Sequence, residues 1–259
     1  MEQQPANLYD YPKYYDLLFG SDWRAEFHFL TACFERYAQC HVTRVFEPAC
    51  GTGRLLFRLA KAGYEVAGND LNEKAVKYCN RRLTRNGFPA SVTVGDMADF
   101  TVSRKFHAAF NTINSFRHLP SEKTAESHLH CIGKALTKGG LYILGLHLTP
   151  TQGERVDHEE WTARRGHLQV NSAMWCKKLD LKNRNEQLGM TFDVYTPTQQ
   201  LRLVDEMNYR TYTARQFDAL LSRCPEFEIA ARHDFVYDID TLVEVTPRTE
   251  DVVFVLRKK

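Results

Sequence analysis

No apolar run in this sequence reaches the roughly 18 residues that a membrane-spanning helix requires. The N-terminal stretch MEQQPANLYDYPKYYD has neither the basic region nor the apolar core of a secretory signal, so the cytoplasm is the expected compartment. The seven cysteines (Cys33, Cys40, Cys50, Cys79, Cys131, Cys176, Cys224) include no Cys-x-x-Cys pair and no Cys/His cluster at zinc spacing. They predict buried thiols in a reducing compartment, and no metal centre. Strong charge of one sign is also missing: 34 Lys and Arg against 32 Asp and Glu leave a formal charge of +2, too weak a field to argue for nucleic acid. The basic run RRLTR at Arg81 to Arg85 reads as a solvated helix face. Internal repeats and low-complexity segments are absent. With 259 residues, 43% of them apolar and 25% charged, the chain can bury one substantial core and still carry a sizeable insertion.

What is present is an alternation of apolar strands and helical patterns. The stretch from Leu8 to about Tyr37 alternates aromatic and charged residues at helical spacing, broken by Pro12 and Gly20. A strand is predicted over Val42 to Glu47, then a glycine turn and a helix from Gly53 to Lys61. A second strand, Glu65 to Asn69, stops at Asp70 and is followed by an amphipathic helix over Asn72 to Thr84, with Asn72 as a cap. Strands follow at Ser91 to Val94 and His107 to Thr112. Ser121 caps a helix reaching about Thr137, and KGG turns the chain into the strand Leu141 to Leu146. Repeated strand-then-helix units imply a parallel sheet with right-handed crossovers and helices on both faces. From about Trp161 to Tyr209 the pattern becomes that of antiparallel strands, turning at NRNEQLG. A helix at Ala214 to Ser222 and strands at Phe227 to Phe235 and Val252 to Leu256 complete the sheet. The expected architecture is α/β, a doubly wound, mostly parallel seven-stranded sheet with an antiparallel β-rich insertion. It divides into an N-terminal helical cap (1–40), a cofactor-binding core (41–150), the insertion covering a substrate site (151–212) and a completing segment (213–259).

The stretch VFEPACGTGRL at Val45 to Leu55 carries two glycines between a strand and a helix, the place where backbone can approach a nucleotide closely. A dinucleotide fold would put a third glycine where Leu56 stands, and a phosphate loop would need Gly-Lys-Ser or Gly-Lys-Thr where Arg54-Leu55 follows Gly53. The turn therefore serves a smaller or less anionic ligand. Asp70, ending the second strand, can accept hydrogen bonds from both ribose hydroxyls of an adenosine, and Asp96, ending the third, from its exocyclic amine. Two carboxylates beside one ligand favour a sulfonium over a pyrophosphate.

EPACGTG at Glu47 to Gly53, GND at Gly68 to Asp70, GDM at Gly95 to Met97, KFHAAFNTINSFRHL and LTKGGLYIL together resemble the class I S-adenosylmethionine-dependent methyltransferases. Tyr15-Asp16 and the late β-rich segment ending in YRTYTARQF look like the bacterial small-molecule type, some of which methylate amino sugars or other small amines. The resemblance implies that Glu47, Ala49, Gly51 and Gly53 line the methionine moiety of S-adenosylmethionine. It implies further that Asp70 holds the ribose with Leu71 on the adenine, and that Asp96 and Met97 bind the adenine edge and face. Asn111 and Asn114 would border the sulfonium, and Tyr15 would close over the methionine end. Two positions depart from the family: Glu47-Pro48 replaces Asp-Leu, and His107 stands where Asp after Phe is usual. NTIN occupies the place of the DPPY-like or NPPY-like motif of relatives that methylate planar amide or exocyclic nitrogens, which argues against such substrates.

Methyl transfer from an activated sulfonium leaves the protein to align the nucleophile and remove its proton. His118 and His147 are the candidate general bases, against readings as a capping or structural histidine. Arg117 and Arg210 are candidates for an acidic substrate group or for salt bridges, and Tyr9, Tyr11, Tyr14 and Tyr15 for cofactor contact or packing. The leading reading is methylation of a nitrogen or oxygen of a small molecule. A cofactor-binding scaffold without catalysis and an RNA or protein methyltransferase are the alternatives. The substrate, the atom methylated and a homodimer through the β-rich insertion stay open.

Overall fold

The computed structural model describes residues 2–259. The chain opens with a short strand β1 (Glu2–Pro5), a turn of 3-10 helix (Leu8–Asp10), and helices α1 (Pro12–Phe19) and α2 (Arg24–Tyr37). Pro12 occupies the first turn of α1, where its missing N–H has no helical acceptor to lose. The core then alternates β2 (Arg44–Pro48), α3 (Arg54–Lys61), β3 (Glu65–Asp70), α4 (Glu73–Arg85), β4 (Val92–Val94), β5 (Phe106–Asn111), α5 (Glu122–Ala135) and β6 (Leu136–His147). A 3-10 turn at Ser115–His118 lies between β5 and α5. Asn72 caps α4 by accepting from the Ala75 N–H, and Ala75, Val76, Cys79 and Leu83 form its buried face. Ser121 caps α5 in a capping box with Thr124. The sequence predicts a turn at KGG before a strand beginning at Leu141. Instead β6 starts at Leu136 and absorbs the glycines as an irregularity in its pairing with β5, with Gly139 at φ 75°.

Four strands follow, β7 (His158–Arg165), β8 (Leu168–Asp180), β9 (Asn185–Tyr195) and β10 (Gln200–Arg210). The chain then closes with α6 (Ala214–Ser222), β11 (Phe227–His233) and β12 (Asp251–Lys258). The larger sheet has the order β11-β12-β6-β5-β2-β3-β4. Its five central and far strands pair in parallel, while β12 and β11 run antiparallel. Strand order reverses at β2, which has β3 on one side and β5 on the other. In open α/β sheets the crevice beyond the carboxyl ends at such a switch point receives the ligand.

The smaller sheet has the order β1-β10-β9-β8-β7. Four of its strands are the antiparallel ones expected; β1, in a segment expected to be helical, joins β10 in parallel. Three polar residues among its four give it no strand periodicity, so this pairing is tertiary. Alternate residues Met190, Phe192 and Val194 of β9 face inward with Leu201 and Leu203 of β10, covering Leu8, Leu17 and Leu18. Arg117, on the core side, forms a buried ion pair with Glu186 of β9 at 2.5 Å, and Arg155 approaches the same carboxylate at 2.8 Å. Arg210 pairs with Glu122 at 2.9 Å. Both Arg117 and Arg210 are thus structural ion-pair partners. Among the described residues no helix is long and apolar enough to cross a membrane, and all seven cysteines are free thiols.

Candidate active site

A cavity of about 1020 Å³ opens beyond the carboxyl ends of β2, β3 and β5, between the core and the smaller sheet. The β2–α3 turn forms its floor. Ala49, Gly51 and Gly53 all adopt positive φ, at 49°, 52° and 65°, the left-handed region that an ordinary side chain disfavours. The Cys50 N–H donates to the Asn69 carbonyl at 3.0 Å. Asp70 braces the turn from β3: Oδ2 accepts from the Gly51 N–H at 2.7 Å and Oδ1 from the Asn72 N–H at 2.8 Å. Burial raises the Asp70 carboxyl above its ordinary range, and those two amides pull it back.

Gly51 faces the cavity, and a Cβ built there would meet nothing within 4 Å. Leu71 lies in the cavity wall with 71% of its surface exposed. Asp96 anchors itself by accepting from the Ala98 N–H at 2.8 Å, and Met97 forms wall beside it. Asn114, in the left-handed region at φ 53°, accepts from the His147 N–H at 2.8 Å and so ties the end of β6 to the segment after β5. Tyr15 lines the cavity with its ring 5.5 Å from Tyr9 and 4.6 Å from Phe19.

Three residues expected at the ligand do not line the cavity. Gly53 is a packing glycine: a Cβ there would come within 2.2 Å of Cys79 Sγ on α4. Asn111 is buried and donates to the Pro48 carbonyl at 2.9 Å, holding β5 against β2. Glu47 is buried with Oε2 unpartnered; desolvation pushes its carboxyl well above the ordinary range, against the pull of Arg54. Sequence spacing places these residues near the turn, but it does not say on which side of the backbone each side chain falls.

Both candidate bases line the cavity. His118 shares a hydrogen bond of 2.9 Å with the Tyr9 hydroxyl through Nε2, and its ring meets Tyr209 edge-on at 4.8 Å. Burial, with Arg117 beside it, pushes His118 down to about 4, while burial pushes the Tyr9 phenol well up. The pair is neutral at physiological pH. His147 sits 2.5 Å from Asp251 through Nδ1 and packs edge-on against Phe235 at 4.7 Å.

Several lining residues were not singled out in the sequence. Thr52 reaches Asp16 at 3.2 Å. Glu26 lines the cavity and holds Arg54 in a buried bidentate pair, with the Nη2–Oε1 arm at 2.6 Å. Glu159 and Trp161 of β7, Met190 of β9 and Tyr209 of β10 form the roof. The strand period offered a signal for the first two, since residues two apart share a face.

Residues 45–140 match a family described as "Methyltransferase domain". A dTDP-3-amino-3,4,6-trideoxy-alpha-D-glucopyranose N,N-dimethyltransferase of Streptomyces venezuelae is 28% identical over 138 residues; the alignment spans 52% of this chain and 56% of that one, about half of each. A solved S-adenosylmethionine-dependent methyltransferase from Clostridium acetobutylicum ATCC 824 superimposes with a TM-score of 0.77 at 17% identity, covering 97% of this chain and 99% of the other. An S-adenosylmethionine-bound amino pentose methyltransferase from Micromonospora echinaspora does so with a TM-score of 0.73 at 17% identity, covering both chains completely.

Proposed function

We propose that the chain acts as a class I S-adenosylmethionine-dependent methyltransferase and that it methylates the amino nitrogen of a small amine-bearing molecule, an amino sugar carried on a nucleotide being the leading class. The carrying observation is one continuous cavity with two unlike ends. One end has the open Gly51 backbone, the braced Asp70 carboxylate, Asp96 and the bare Leu71 side chain. The other is walled by Tyr9, Tyr209, Trp161 and Met190. Its volume, about 1020 Å³, is enough for a nucleoside cofactor beside a small acceptor.

The first end fits S-adenosylmethionine. Room where a Gly51 side chain would be, an exposed leucine awaiting a flat ring, and a carboxylate with lone pairs left after its two backbone bonds suit an adenosine joined to a cationic chain. In this reading Gly51 and Ala49 border the methionine part and Asp70 holds the ribose. Leu71 and Met97 sandwich the adenine, and Asp96 takes its amine. Asn114 borders the methyl-transfer point and Tyr15 covers it. When bound, the cofactor supplies an activated methyl group on a sulfonium. The protein's own work is to hold the acceptor nitrogen in line, exclude water behind the β7–β10 roof and accept one proton.

Nitrogen is preferred over oxygen on two supports: the substrate named for the Streptomyces venezuelae relative, and the Asp251 and Glu159 carboxylates that line the cavity with His147. A scaffold without catalysis and an RNA or protein methyltransferase are not favoured. Pairing of two chains through the open β7 edge of the smaller sheet is a further part of the reading, which sedimentation would test.

Calorimetric titration with S-adenosylmethionine, S-adenosylhomocysteine and, as a control, NAD comes first. Binding of the two sulfur ligands alone is expected. Mass spectrometry of a thymidine-diphosphate-linked 3-amino sugar and its 3-hydroxy counterpart then reads the acceptor atom, with mass gain on the amine only. Transfer to the hydroxyl alone would overturn the nitrogen reading.

A further inference from the structure

Resting on the amine reading above, we propose that Asp251 and Glu159, neither of them part of the cofactor end, complete the base. Asp251 fixes His147 with its free nitrogen toward the acceptor, and Glu159 receives the incoming amine as its ammonium ion.

The dyad is a product of strand register. His147 ends β6 and Asp251 begins β12, and the two are direct partners in the antiparallel ladder. Cross-strand partners hold their side chains side by side on one face, and here Nδ1 and Oδ1 are 2.5 Å apart. A neutral imidazole that donates Nδ1–H to a carboxylate keeps its lone pair on Nε2. The Phe235 ring at 4.7 Å and the backbone bond to Asn114 restrict the ring and the strand end that carries it.

The charges facing this imidazole are unbalanced. Asp251 and Glu250 approach from β12 and its lead-in, and Glu159 from β7. Arg117 and Arg155 border the adjoining chamber of about 90 Å³, but both are committed to Glu186. His158 turns to Glu160 at 3.0 Å, Asp157 lines the same chamber, and burial raises the Tyr209 phenol. Burial, with Asp251 and Glu250 adding to it, raises the Glu159 and lowers its readiness to carry charge; His147 opposes this. An ammonium ion arriving beside Glu159 relieves that crowding, whereas a neutral hydroxyl does not. Among the described residues no three His, Cys, Asp or Glu side chains come together as metal ligands.

One N–H bond of the ammonium breaks; its proton goes to Nε2 and the electron pair stays on nitrogen as the nucleophilic lone pair. Asp251 holds the imidazolium through Nδ1, and Nε2 gives its proton up to water once the product has left, which restores the Nε2 lone pair.

Asp251→Asn and Glu159→Gln test the assignment, with the thymidine-diphosphate-linked 3-amino sugar as probe and cofactor affinity measured by calorimetry. Asp251→Asn is expected to keep cofactor affinity and melting temperature and to lose about 100-fold in kcat at neutral pH. That loss should shrink as pH rises and the amine sheds its proton to solvent, and Asp251→Glu should recover part of the rate. Glu159→Gln should act mainly on KM for the amine, raising it about tenfold. Wild-type turnover with Asp251→Asn unaffected, or reduced by the same factor at every pH, would overturn the dyad. An unchanged KM in Glu159→Gln would overturn the ammonium site. Wild-type protein that binds cofactor but transfers only to the hydroxyl probe would instead remove the amine reading, and this inference with it.

Discussion

Gly51 and Gly53 stand two positions apart, both with positive φ, yet they answer to different neighbours. Gly53 has Cys79 Sγ where a methyl group would go. Gly53→Ala therefore combines left-handed strain of about 1–2 kcal/mol with overpacking of about 1–3 kcal/mol. Thermal unfolding should show a melting temperature lower by roughly 5–15 °C. Gly51→Ala meets no protein atom, so its stability cost should stay near the strain alone. Its methyl would occupy space on the cavity side, and calorimetry should report cofactor affinity reduced about tenfold or more. Equal stability losses in the two variants would contradict this division. The sequence marked both glycines, but only the packing of α4 against the turn separates them. Asn111 and Glu47 likewise stay out of the cavity lining, one spent on the Pro48 carbonyl and the other buried beside Arg54. His118 and His147 both reach the cavity, and what divides them is a partner: Tyr9 for one, Asp251 for the other.

At the scale of elements, α5 is fastened to the sheet by a histidine. His128 is fully buried, with Nδ1 2.8 Å from the Met97 carbonyl and Nε2 2.7 Å from the Tyr142 hydroxyl of β6. Burial pushes it down to about 4, from an ordinary value of 6.5. Between those values the unfolded chain binds a proton that the folded chain refuses, so stability is complete above about pH 6.5 and falls as pH drops toward 4. The loss amounts to at most about 3 kcal/mol for this residue. Denaturant titrations across that window should show the acid limb, and His128→Gln should flatten it by a comparable amount. His118, displaced the same way, accounts for part of what remains. An acid limb of unchanged depth in His128→Gln would refute the assignment. Helices such as α4 and α5 were legible because their caps and apolar faces are local. The start of β6 and the existence of β1 were not, because a strand's bonds lie on another segment.

For the whole molecule, the cavity exists only while the two sheets face each other, and Glu186 is a main fastener between them. It accepts from Arg117 on the core side at 2.5 Å and from Arg155 at 2.8 Å, and the two guanidiniums hold its carboxyl below the ordinary range despite burial. Glu186→Ala would leave Arg117 buried without a counter-ion, so urea unfolding should report a loss of about 3–5 kcal/mol. A variant as stable as the parent would show that the sheets are joined without help from this ion pair. The sequence by itself determined the order of strands and helices from β2 onward, the glycine turn at the switch point and the two acidic strand ends, because each is written in local periodicity, caps and short motifs. Tertiary structure decided which residues near the turn reach the cavity, which cations are already paired, and that His147 meets Asp251 rather than open solvent. Those depend on register between strands 104 positions apart in the chain, and no local pattern encodes a partner at that distance.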